Sequence, residues 1–241
     1  MILALWRRWQ RALANHGLGG TIAVGWRHVW LFITGLPRRF QRLGQPPAKS
    51  ILDAQMGLDT DGVIDLSNLD IQSPNWTSGF RYQPTPMQDF YQMLEHLELD
   101  YPRYVFVDFG SGKGRAVLLA ARFPFAQIVG VEFSPQLHQV AQDNLRKFRQ
   151  ATGKGGNVRL ELGDASQFPL PPEPGVYYFY NPFGADILAK VVENIRQSLG
   201  AAPRTCYLVY YNPVHEEVLA QAGFLERLVS HPEYAIYRNR P

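Results

Sequence analysis

Between residues 104 and 238, short apolar runs alternate with longer amphipathic ones. The strand-like runs are 104–108, 127–132, 157–162, 176–180, 205–211, 224–229 and 234–238. Helix-like runs at 113–123, 134–150, 185–199 and 214–222 accompany them, and a turn-rich stretch, 163–175, joins the third strand to the fourth. A strand that reaches the next strand through a helix makes a right-handed crossover. The alternation therefore predicts an α/β fold with a doubly wound, mostly parallel seven-strand sheet. Only SHPE (230–233) separates the last two runs. That is too short for a crossover, so they are expected to pair as an antiparallel hairpin.

The chain before residue 104 reads differently. Pro86 suits the first turn of a helix over 86–98. Residues 57–86 are rich in turn formers, and the whole of 51–86 is expected to be an irregular lead-in to one domain, 51–241. Residues 1–50 are expected to form a helical extension, set off by Pro46-Pro47. This extension carries eight of the 24 Lys and Arg residues and no Asp or Glu, which leaves 16 basic against 21 acidic residues in the rest. A mildly acidic body disfavours a nucleic-acid groove across the molecule.

Four of the five tryptophans also lie in the extension. Leu5, Trp6, Trp9 and Leu13 share one helical face, opposite Arg7, Arg8 and Arg11. Two readings fit this pattern: helices packed on the domain, or contact of residues 1–44 with a membrane surface, peripheral at the inner face. The apolar run at 21–35 is short and broken by Gly25, Arg27 and His28, so it is not expected to span a bilayer. No small-residue cleavage site follows it, which disfavours a signal peptide. The single cysteine, Cys206, fits a reducing, cytoplasmic setting. No Cys/His cluster has metal-ligand spacing.

The segment DFGSGKG (108–114) holds the densest group of glycines, and they let a backbone approach a ligand closely. A triphosphate loop needs Ser or Thr after its Lys, but Gly114 follows Lys113. In the dinucleotide fingerprint a third glycine stands where this chain has Arg115. Asp108, ending the strand, would repel a pyrophosphate and attract a cationic ligand.

With Glu132 in VGVEF, GDA at 163–165 and NPF at 181–183, this loop resembles the class I, seven-strand S-adenosylmethionine-dependent methyltransferases, over about residues 80–240. The resemblance implies a Rossmann-like sheet and S-adenosyl-L-methionine as cofactor. It places Gly110, Ser111, Gly112 and Gly114 beneath the cofactor and Asp108 on its ammonium. Glu132 takes the ribose hydroxyls. Asp164 accepts from the adenine amino group, and the Ala165 amide donates to a ring nitrogen. RYQPTP (81–86) resembles a segment that closes over the cofactor, which adds Tyr82 and Thr85.

In amino-methylating relatives an Asn side chain and the next backbone carbonyl accept the two N–H bonds of the target amine. Asn181 and Pro182 match that arrangement, with Phe183 or Tyr180 as an aromatic wall. The usual form has two prolines before the aromatic residue; here there is one. This favours a flexible amine such as a protein lysine over a nucleobase. Tyr210, Tyr211 and His215 are further candidate neighbours. A distant similarity to membrane-linked lysine methyltransferases points the same way. Two alternatives stay open: a small-molecule N- or O-methyltransferase, and a non-catalytic module that binds the cofactor and a partner.

Overall fold

A computed structural model describes residues 50–65 and 81–240. The expected extension over 1–50, including the membrane-surface reading of 1–44, lies outside the described residues except for Ser50. No helix among the described residues is long and apolar enough to cross a membrane.

Seven strands form one sheet: β1 (Val105–Phe109), β2 (Gln127–Glu132), β3 (Val158–Leu162), β4 (Gly175–Tyr180), β5 (Cys206–Tyr211), β6 (Leu225–Ser230) and β7 (Tyr234–Asn239). Their order is β3-β2-β1-β4-β5-β7-β6. The first five strands across are parallel; β7 runs antiparallel to both β5 and β6. The doubly wound Rossmann-like sheet and its terminal hairpin are thus as the alternation predicts. The hairpin carries a register shift between Arg227 and Val229 that the sequence pattern did not signal.

Among the described residues six α-helices accompany the sheet: α1 (Ile51–Met56), α2 (Met87–Glu95), α3 (Arg115–Ala120), α4 (Pro135–Thr152), α5 (Ala185–Ala201) and α6 (Glu216–Ala220). Alternation along the strands divides the core into two layers. On one face Phe106, Ile128 and Tyr178 pack against α2, α3 and α4, with Leu52 of α1 in the same cluster. On the other face Val107, Val129 and Phe179 pack against Ile187, Val191 and Ile195 of α5 and Leu219 of α6. β1 is buried throughout, as a central parallel strand covered on both faces must be.

Two expectations need adjustment. The lead-in is not irregular throughout. Ser50 caps α1, its side chain accepting from the Asp53 N–H, and Gly57 ends the helix at φ 64°. The helix expected at 113–123 is shorter, because Gly114, at φ 84°, still belongs to the loop.

Between β1 and β4 the chain reverses its direction of travel across the sheet. In open α/β sheets ligands bind outside the carboxyl ends of the strands at such a switch point. Asp108, the glycine loop, Glu132 and Asn181 all stand at that end of β1, β2 and β4.

Candidate active site

The glycine loop is anchored before it reaches the cleft. The Gly110 and Ser111 N–H groups both donate to the Val131 carbonyl, at 2.9 and 3.0 Å, and Gly114 N–H donates to Ser111 O at 2.8 Å. Gly112 N–H donates to Glu132 Oε2 at 2.7 Å, and Ser134 N–H donates to Glu132 Oε1 at 2.8 Å. Glu132 thus ties the loop to the start of α4. The Phe133 N–H also bears on this carboxylate, and the acceptor capacity left over by these backbone groups faces the ligand side.

Glu132 and Asp108 are each only 3% exposed. Burial pushes the Glu132 carboxyl up to about 7 from its ordinary 4.5, against the backbone N–H bonds that pull it down. Burial first, and the Glu132 charge second, push Asp108 well above its ordinary 3.8.

Gly110 and Gly112 are required on two grounds. Both have positive φ, 82° and 54°. A Cβ at Gly110 would lie 2.5 Å from the Pro182 Cβ, and one at Gly112 would overlap the Tyr82 ring. The turn after β4 and the lead-in therefore both rest directly on the loop. A cleft opens among these parts. It is lined by Gly110, Gly112, Glu132 and Phe133 from the ends of β1 and β2, by Tyr180 and Pro182 after β4, by Leu137 of α4, and by Arg81, Tyr82 and Gln83.

This cleft brings together Tyr82, Gly110, Gly112, Glu132 and Pro182 of the expected residues. Thr85, Asp108, Ser111, Gly114, Asn181 and Phe183 are buried behind its lining. Thr85 shares a 3.1 Å hydrogen bond with the Tyr178 hydroxyl, and Tyr178 is the register partner of Asp108. Ser111 packs under Gly130 of β2, and its hydroxyl is buried without a partner. Phe183 packs edge-on against Phe179 in the core, at 6.3 Å between ring centroids, so of the two expected aromatic walls Tyr180 lines the cleft and Phe183 does not. Asp164 and Ala165 stand half-buried after β3, outside the cleft lining. Asp164 Oδ1 accepts from Ser166 N–H at 2.9 Å and from Ser166 Oγ at 2.7 Å, capping a short 3-10 helix.

Asn181 has φ 39°, in the left-handed region that Asn tolerates better than most residues. Its Oδ1 accepts from the Tyr210 hydroxyl at 3.1 Å. Burial raises the Tyr210 phenol above its ordinary 10, so it keeps its proton and donates. His215 and Tyr211 do not line the cleft.

Several residues of the site had weak sequence signals. Phe133 and Leu137 line the cleft simply because they follow Glu132 into α4. Lys113 and Arg115 were legible only as departures from the phosphate-loop patterns. Both are buried, and both bind the lead-in.

The lining suits S-adenosylmethionine, the group the resemblance implies. Glu132 presents a buried carboxyl to the cleft, which suits a ligand that brings hydroxyl donors, and Asp108 stands buried behind the lining. A glycine loop without a phosphate-binding hydroxyl leaves room for a non-phosphorylated ligand. Among the described residues no cluster of His, Cys, Asp and Glu is placed to hold a metal ion.

Residues 106–200 match the family model described as a methyltransferase domain. No curated protein matches the sequence. Among solved structures, an RNA methyltransferase from Salinibacter ruber in complex with S-adenosyl-L-homocysteine is 24% identical, over 64% of this chain and 91% of its own, with a TM-score of 0.41. A SAM-dependent methyltransferase from Aquifex aeolicus is 12% identical, over 63% and 87% of the two chains, with a TM-score of 0.46. A magnesium protoporphyrin IX methyltransferase from Synechocystis PCC 6803 with bound SAM is 14% identical, over 63% and 77%, with a TM-score of 0.45.

Proposed function

We propose that the chain, whose residues 106–200 match a methyltransferase domain, is a class I S-adenosylmethionine-dependent methyltransferase that methylates an amine, a protein lysine side chain fitting best. The observation that carries this reading is the turn after β4. Asn181 is fixed there by Tyr210, and Pro182 lies against the loop residue Gly110.

When bound, S-adenosylmethionine supplies a methyl group on a sulfonium, a leaving group already activated by its charge. The protein's remaining tasks are alignment and the exclusion of water. In this reading Asp108 holds the ammonium end of the cofactor and Glu132 its ribose hydroxyls. The backbone of Gly110, Ser111, Gly112 and Gly114 lies beneath it, with Asp164 and Ala165 toward the adenine and Tyr82 and Thr85 on the lead-in side. Asn181 Oδ1 gives one lone pair to Tyr210 and has a second for an amine N–H. The carbonyl after it accepts the other N–H, which aims the nitrogen lone pair. Tyr180 supplies an apolar wall from the cleft, with Phe183 packed behind the turn. A lysine ammonium must lose its proton before it attacks, and a water-poor site favours the neutral amine.

The test is transfer of a labelled methyl group from S-adenosylmethionine to a cell lysate, with the labelled species located by mass spectrometry. Label on lysine is the expected outcome. Label confined to RNA or to a small-molecule hydroxyl would overturn the amine assignment. Asn181→Ala is expected to lower transfer by at least about tenfold, the scale of one lost hydrogen bond in a buried site. It should leave S-adenosylhomocysteine affinity within about twofold of the unmodified protein, since Asn181 does not line the cleft.

A further inference from the structure

Lys113 and Arg115 are 5% and 7% exposed, yet neither lines the cleft. A buried cation needs partners, and theirs come from the lead-in. Arg115 Nη1 donates to Ser50 Oγ at 3.1 Å, Thr60 Oγ1 at 2.9 Å and Asp61 Oδ1 at 2.8 Å. Lys113 Nζ donates to Asp59 Oδ1 at 2.6 Å and to the Asp61 carbonyl at 2.9 Å.

The lead-in is braced from within by Asp53, which is buried. Its carboxylate accepts from Thr60 N–H and Thr60 Oγ1, both at 2.6 Å, and from Asp61 N–H at 2.8 Å. The Thr60 hydroxyl therefore donates to Asp53 and accepts from Arg115. The next link leads back to the cleft. The Thr60 carbonyl accepts from the Tyr82 hydroxyl at 2.5 Å. Ile64 and Tyr82 pair as a two-bond antiparallel bridge. Lys113 Nζ stands 5.6 Å from the centroid of the Tyr82 ring, within cation–π range. That ring rests on Gly112.

The path thus starts at Arg115, the first residue of α3 after the glycine loop, passes through Thr60, and returns to the loop at Gly112. We propose that residues 50–61 act as a strap that positions Tyr82 over the cofactor loop, with Thr60 as the positioning residue through which Arg115 and Asp53 act. The inference rests on the reading of this cleft as the cofactor site. The strap makes a stretch some fifty residues before the glycine loop part of cofactor affinity.

Truncating Arg115 or Asp53 would strand a buried charge and could prevent folding. The test therefore uses milder changes in the full-length protein and reads S-adenosylhomocysteine binding by calorimetry and stopped flow. Thr60→Val removes the hydroxyl that bridges Asp53 and Arg115. Tyr82→Phe keeps the ring and removes its bond to Thr60. Each is expected to weaken S-adenosylhomocysteine by about tenfold, mostly through faster dissociation, on the scale of one hydrogen bond. Thr60→Ser, which restores the hydroxyl, should bind like the unmodified protein. The double variant Thr60→Val/Tyr82→Phe should be little weaker than either single one, because both break the same path. Lowered melting temperatures with unchanged affinity would overturn the proposal, and so would fully additive losses. Should the unmodified protein ignore S-adenosylhomocysteine, or Glu132→Ala bind it undiminished, the cofactor reading of the cleft would fail first, and the strap's role with it.

Discussion

Glu132 is the residue whose chemistry is most exposed to test. Its carboxyl titrates near 7 in the folded protein and near 4.5 when exposed. In that window the native chain binds more protons than the unfolded one, so the ligand-free protein should lose stability as pH rises through it. Asp108, also raised, acts in the same direction. Cofactor binding has the opposite dependence, because ribose hydroxyls that donate to Glu132, and an ammonium held by Asp108, both favour the ionised carboxylates. S-adenosylhomocysteine affinity is therefore expected to rise between about pH 6 and pH 8 and then level off. Calorimetry across that range checks it; an affinity that is flat or falls would show that these carboxylates do not face the ligand. The sequence marked Asp108 and Glu132 by their places at strand ends. It could not show that Glu132 also accepts two backbone N–H bonds, since Gly112 and Ser134 come together only when the loop is folded.

Among the elements, the strands were the most legible. Runs such as VFVDF and IVGVE are buried throughout and therefore read as near-continuous apolar stretches, each with a single acid near its carboxyl end. The hairpin was legible from loop length alone. α1 was missed for a physical reason. Six residues are too few to sustain a helix by themselves, and what stabilises this one is tertiary: Leu52 is buried in the core, and Arg115, 65 residues along the chain, bonds Ser50. Its local marks, Ser50 at the start and Gly57 at the end, were present but insufficient. Ser50→Ala should remove both the cap and one Arg115 bond. The expected cost is about 1 kcal/mol, a fall in melting temperature of about 2–4 °C for a chain of this size. Differential scanning calorimetry would register it, and an unchanged midpoint would mean that α1 contributes nothing to the cooperative unit.

At the scale of the whole molecule, the switch between β1 and β4 gathers loop, acids and turn at one edge of the sheet. A ligand bound only by the native form stabilises it. S-adenosylhomocysteine is accordingly expected to raise the melting temperature in a concentration-dependent way. NADH and ATP should have far less effect, because Asp108 and Glu132 would face their phosphates across a loop that lacks a phosphate-binding hydroxyl. Thermal shift with the three ligands decides the matter, and a preference for either phosphate ligand would contradict the charge pattern of the site. Charge and Pro46-Pro47 suggest a division near residue 50, and Ser50, at that point, is bonded to Asp61 and Arg115.

Pro182 and Tyr82 occupy alternate glycines of a single short loop. The two sides of the cleft therefore share one piece of backbone as their common datum. An engineer who wished to exchange the acceptor preference could not treat the NPF turn as a detachable cassette. A transplanted turn with two prolines would press on Gly110, move the loop, and be felt by the tyrosine two residues away. Acceptor range and cofactor grip in this protein should therefore drift together under selection, and variants that broaden one are expected to be found among those that loosen the other.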